Sequence, residues 1–242
     1  YEGTRLGRQE LNAELLDDNP GALWHRQNID AHRVSVAPEL TRIVVGVDPA
    51  VTSSEDSDET GIIACGVGPE IPGTRPGPHF YVLADDSLIE SPMKWAAAAV
   101  GRYHALRADR IIGEANNGGD MIEALMRQVD QNVSFTKVTA TRGKAIRAEP
   151  IAALYEQGRV HHVGSFAKLE DQMCEWDPAI QGVKSPDRMD ALVWALTALS
   201  DHSDLGLLDF YRDQAAQLAR PTPTPGITTQ TVEGWPAFMT RN

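Results

Sequence analysis

Two hydrophobic runs in this 242-residue chain end on a carboxylate: RIVVGVD closes on Asp48 and RIIGE on Glu114. A third segment, SPDRMDALVWAL, carries Asp187 and Asp190 three residues apart. Carboxylates gathered at one sheet edge repel each other unless a cation joins them. Hard oxygen donors without His or Cys select Mg2+ or Mn2+. Four such acids suit two ions about 4 Å apart, which activate a water and stabilise the leaving oxygen in phosphodiester cleavage. Asp58, in the acidic loop SSEDSDE, is a candidate outer-shell helper, whereas Glu55 and Asp56 read as a solvated charge run.

Each acid has a plainer explanation when taken alone. Asp48 precedes Pro49, which cannot donate a ladder hydrogen bond, so it can be a solvated strand-end carboxylate. Glu114 precedes the turn Asn116-Asn117-Gly118-Gly119 and can be a residue beside a helix start. Asp187, in the first turn of a helix capped by Ser185 with Pro186 at its first position, complements the helix dipole. Asp190 is harder to dismiss. It lies against ALVWAL, which is apolar nearly all round, and a carboxylate beside a buried helix is costly unless paired or bound to metal.

The elements that must bring these acids together follow from the apolar pattern. Strands are expected at 41–48, 60–67 and 79–84, the last two joined by a Pro/Gly-rich turn at 68–78. Strands at 109–114 and 132–138 alternate with helices at 92–107, 119–129 and 144–157, an order that calls for parallel pairing. A short strand near 159–163 and helices at 165–175 and 186–199 complete the domain. The reading is thus an α/β domain over 41–200, preceded by an extension (1–40) and followed by a tail (201–242) whose PTPTPG stretch excludes helix or central strand. The turn at 68–78 is a conceivable gate for the site. Trp194 is assigned to the core.

Composition narrows the function classes. With 42% hydrophobic residues the chain can bury a full core. No apolar stretch approaches the roughly 20 residues of a membrane span. Opening on Tyr1 without a basic and then apolar leader, it reads as a fragment with no signal peptide. Cys65 and Cys174 belong to no Cys-x-x-Cys pair, which argues against zinc or a disulfide framework. A formal net charge of −12 excludes a surface attractive to nucleic acid all over. Yet 137–147 (KVTATRGKAIR) holds Lys137, Arg142, Lys144 and Arg147 with no acid among them, a strip able to hold a phosphate backbone or serve as an ordinary exposed face. His161 and His162 alternate along a short strand and make no ligand pair. Gly143-Lys144 lacks the first Gly and the Ser or Thr of a phosphate loop, so no ATP site is visible.

Taken together, YEGTRLGRQELNAELL, VVGVDPAVTSSEDSDETGI, IIGEANNGGDMI, KAIRAEPIAALYEQGRVHHV and SPDRMDALVWAL resemble, in order, the ribonuclease H-like nuclease domain of tailed-phage large terminase subunits. The resemblance implies a mixed five-stranded sheet, three antiparallel strands and then parallel ones, flanked by helices with the acids at its centre. It implies cleavage of double-stranded DNA with Mg2+ or Mn2+ during genome packaging in the bacterial host cytoplasm, and the lack of a zinc finger or basic recognition helix in the sequence points to little sequence preference. Asp48 would be the first-strand Asp, Glu114 the fourth-strand acid, and Asp190, Asp187 or both the final-helix Asp. By the same analogy the portal protein and the small terminase subunit are partners, and an ATPase motor absent from this chain precedes the nuclease. Asp-x-x-Asp is also similar to Holliday-junction resolvases, which should prefer branched DNA. A portal-docking or metal-binding module without catalysis, and an actin-like nucleotide-binding fold, are the alternatives from other classes.

Overall fold

The computed structural model describes residues 19–49, 59–115, 119–140, 143–180 and 186–200. Its elements run in the order α1 (Arg26–Ala31), β1 (Arg42–Asp48), β2 (Gly61–Gly68), β3 (His79–Asp85), α2 (Pro92–Ala105), β4 (Arg110–Glu114), α3 (Gly119–Val129), β5 (Phe135–Val138), α4 (Lys144–Glu156), β6 (Val160–His162), α5 (Ala167–Glu175) and α6 (Asp187–Ser200). The fold is α/β and ribonuclease H-like, with one mixed sheet between layers of helices.

Strand order is β5-β4-β1-β2-β3-β6. β1, β2 and β3 form an antiparallel meander, while β4 pairs parallel with β1, β5 with β4, and β6 with β3. Among the described residues, only β2 therefore runs against the other five strands. Among the described residues the sheet has six strands, where the resemblance implied five. The short run at 160–162 adds to the free edge of β3, and Val34 bridges Val163 just beyond it. An edge strand of three residues, covered on its outer side, gains backbone hydrogen bonds without leaving a long unpaired edge.

Alternation along the strands divides the core. Val44, Ile63, Phe80, Val82 and Ile112 point to one face and pack with residues of α4, α5 and α6 and with Trp24 and Ile29. Val45, Val47, Ile62, Ala64 and Ile111 point to the other, under α2 and α3, where Trp95, Ala96, Ala99, Ile122 and Met126 close the layer. This is the period-2 signature of a sheet buried on both sides.

The sequence reading did not foresee α1, six residues with no sustained 3.6-residue pattern. It is held by Trp24 and Ile29, each 1% exposed, and by the buried carboxylate of Glu170. Glu170 accepts from Arg33 Nη1 at 2.7 Å, His162 Nδ1 at 2.9 Å and the Phe166 N–H at 3.0 Å, and Arg26 approaches at 3.5 Å. A carboxylate only accepts, so His162 carries its proton on Nδ1 and takes the Tyr155 hydroxyl at Nε2, 2.8 Å away. The first 18 residues, the tail beyond Ser200 and the Ser185 cap lie outside the described residues.

The suggestion that the 68–78 turn gates the acids does not hold. β2 starts at Gly61 opposite Asp48 and ends at Gly68 beyond the level of Arg42. The turn thus leaves the far end of the sheet, about 20 Å away at roughly 3.3 Å per strand residue. Its course depends on Gly73 and Gly77, whose φ values of 83° and 121° suit residues without a Cβ.

Candidate active site

Parity sets the first two acids. In β1, Val44 and Gly46 face α6, so Asp48, two residues on, faces it as well; in β4, Ile112 and then Glu114 do the same. The parallel register Gly46↔Ile112 and Val47↔Gly113 brings Asp48 and Glu114 side by side at the carboxyl ends of neighbouring strands.

Two glycines let the final helix reach them. A Cβ on Gly46 would sit 2.2 Å from the Ala191 carbonyl oxygen, and one on Gly61 would sit 2.0 Å from that of Asp187. Only a bare backbone permits so close a crossing. Gly61→Ala should push the first turn of α6 off the sheet, and overpacking of this kind costs about 1–3 kcal/mol, read as a lower midpoint in urea denaturation. The helix starts at Asp187, one residue later than expected, and the Asp190 N–H donates to the Pro186 carbonyl at 3.0 Å. Arg188 anchors this turn from the opposite side. Its guanidinium grips Glu59 through Nε (2.8 Å) and Nη2 (2.5 Å) and also binds Asp85.

The charges meet at this edge. The side chain of Asp190 is 3% exposed and accepts from Lys144 Nζ at 2.7 Å. Glu114 Oε2 accepts from the indole N–H of Trp194 at 2.8 Å and lies 3.7 Å from Arg147 Nη1. Burial, then the neighbouring carboxylates of Asp190 and Glu114 and, more weakly, Asp187, push the Asp48 carboxyl up to about 8, against the pull of Lys144. An acid that resists ionisation among other acids marks a site short of positive charge.

Of the basic strip, Lys144 and Arg147 point into this edge. Lys137 turns away to Asp120 at 2.6 Å and Glu123 at 2.9 Å. Arg142 and Asp58 lie outside the described residues. Among the described residues, no three His, Cys, Asp or Glu side chains converge closely enough to hold a metal ion as they lie. The donor chemistry nonetheless fits a hard divalent cation. Asp48, Glu114, Asp187 and Asp190 offer only oxygen, and the cluster's electrostatics favour added positive charge. No helix among the described residues is long and apolar enough to cross a membrane.

A family model of the terminase RNaseH-like domain matches residues 45–199, which span every acid named above. The chain belongs to this family. Other members of the terminase group share its fold at low sequence identity. The nuclease domain of the large terminase subunit gp2 of bacterial virus Sf6 superposes with a TM-score of 0.52 at 12% identity, covering 72% of this chain and 98% of that one. A mutant of the same Sf6 domain solved with manganese gives 0.50 at 12%, with the same coverage. The large terminase of a thermophilic bacteriophage gives 0.53 at 14%, covering 76% of this chain but only 46% of its own length. No curated protein sequence matches the chain.

Sequence reasoning missed two features of this carboxylate edge. Trp194 follows Asp190 by four residues and so shares its helix face, a spacing that was available. The glycine gaps at Gly46 and Gly61 give no local signal, because what makes them necessary is a helix more than a hundred residues away.

Proposed function

We propose that this terminase domain is a divalent-metal-dependent endonuclease that cuts double-stranded DNA with little sequence preference while a viral genome is packaged in the bacterial host cytoplasm. The reading rests on the terminase RNaseH-like family match over residues 45–199, together with the facing of Asp48, Glu114 and Asp190 at the carboxyl ends of β1 and β4. Asp48, Glu114, Asp187 and Asp190 would hold Mg2+ or Mn2+, two ions by the number of carboxylates. When bound, such ions lower the pKa of a water and stabilise charge on the leaving oxygen. The manganese present with the Sf6 domain is in keeping with this choice.

The chain's own residues prepare that chemistry. Asp190 must exchange the Lys144 ammonium for the cation, which frees Lys144, 41% exposed, to meet a DNA phosphate. Arg147 stands beside Glu114 with its Nε and Nη1 buried and its side chain 12% exposed, so a phosphate oxygen would be met by its remaining nitrogen, Nη2. Lys137 and Arg142 would extend the same strip along the backbone. The portal protein and the small terminase subunit are proposed partners of the larger protein in which such a domain works.

The test is conversion of supercoiled plasmid to nicked and linear forms with Mn2+, Mg2+ or EDTA, beside Asp190→Asn. Cutting that needs the metal and disappears in the variant is the expected result. A folded protein that cuts with neither ion would overturn the reading for this chain.

A further inference from the structure

Trp194 carries no charge, yet it touches two of the groups that matter at the carboxylate edge. Its indole N–H donates to Glu114 Oε2 at 2.8 Å. Its ring face carries the Arg147 guanidinium, whose carbon lies 4.3 Å from the ring centroid. The residue is 6% exposed, so packing alone could explain its presence. Packing does not explain its polar contact. Trp24, another buried indole in the same core, has an Nε1 with no hydrogen-bond partner among the described residues.

The two contacts act on different groups. A hydrogen bond to one oxygen fixes the rotation of the Glu114 carboxylate, and buried donors of this sort set the orientation and basicity of metal ligands. Stacking holds the Arg147 plane in place by attraction to the ring face and consumes none of its N–H donors. Arg147 Nε and Nη1 are buried and without a hydrogen-bond partner among the described residues, which leaves Nη2 as the nitrogen to meet a phosphate.

We infer that Trp194 is a positioning residue that serves both halves of the proposed nuclease: its N–H orients Glu114 for the cation, and its ring face holds Arg147 for the phosphate. This rests on the nuclease reading above. The two functions reside on different parts of one ring and are therefore separable.

The test uses the full chain. Mn2+ binding is measured without DNA, from the electron paramagnetic resonance signal of free Mn2+, and the KM for plasmid is measured at saturating Mn2+. Trp194→Phe keeps a ring under Arg147 but loses the N–H, so the Mn2+ dissociation constant should rise about tenfold while the KM for DNA stays within about twofold. Arg147→Gln should raise the KM for DNA without weakening Mn2+ binding, because it removes a competing cation 3.7 Å from Glu114. Should Trp194→Phe fail to fold, benzothienylalanine at position 194 supplies the same shape with sulfur in place of N–H, and the same result is expected. Unchanged Mn2+ binding in a folded variant lacking the N–H would overturn the inference alone. A wild-type chain that binds no Mn2+ would overturn the nuclease reading and the inference with it.

Discussion

Asp48→Asn should abolish cleavage and at the same time make the metal-free protein more stable. The loss follows from removing a carboxylate between Glu114 and Asp190. Several kcal/mol of charge stabilisation by the cation correspond to a rate loss on the order of 10^3-fold or more. The gain has its origin in the unliganded site, where Asp48 is held among like charges and its carboxyl rises from 3.8 to about 8. The sign follows from proton linkage. Between about pH 4 and pH 8 the folded chain holds a proton that the unfolded chain has released, so stability falls as pH rises through that window. An amide has no such proton to lose. The variant should be about 1–2 kcal/mol more stable than wild type at pH 8.5 and nearly equal to it at pH 4. Melting curves recorded in EDTA at the two pH values check this. In the wild type a bound cation must displace the same proton, so Mn2+ should raise the melting temperature more at pH 8 than at pH 6. Equal melting of the two proteins at pH 8.5 would mean that the acids do not strain the fold.

Glu170→Ala should destabilise the domain more than any other single change considered, by about 3–5 kcal/mol, the cost of breaking a buried ion pair. Arg26, 4% exposed, would keep Asp171 at 2.5 Å but lose Glu170, and Arg33 and His162 would lose their shared acceptor. Burial alone would raise the Glu170 carboxyl, but hydrogen bonds from His162 and Arg33 hold it well below the usual carboxylate range. Because the folded value is depressed, its contribution is present above the ordinary pKa of about 4.5 and fades as pH falls below it. Urea midpoints at pH 7 should therefore separate wild type from Glu170→Ala widely, and the gap should narrow towards pH 3. A gap that stayed constant over that range would assign the loss to packing rather than to charge.

The sequence made Asp48, Glu114 and the final-helix pair legible for a local reason. An apolar run that ends on an acid before Pro49, or before a turn, announces a strand end, and strand ends at one edge of a sheet come together. The parallel and antiparallel segments were legible from the same alternation. What escaped was decided by distant partners. Lys144 and Lys137 look alike in sequence, yet one meets Asp190 while the other is neutralised by Asp120 and Glu123 on the neighbouring helix. Trp194 is buried, as its apolar surroundings indicated, but burial says nothing of where an indole N–H points. The position of the 68–78 turn needed only the direction of β2, which pairing fixes and composition does not. α1 depends on a carboxylate about 140 residues further along, beyond the reach of any periodicity.

The single reversed strand has a consequence for how such a domain can diversify. With β2 alone running backwards, five strands release the chain at the same edge, where the acids lie. Loops outside the carboxyl ends of strands can lengthen, shorten or change charge without repacking a core layer. Among the described residues, the segments after β3 and β6 therefore leave the sheet at the edge that carries the carboxylates. New ways of gripping or releasing a substrate could be acquired there one loop at a time, with the folding of the sheet left undisturbed.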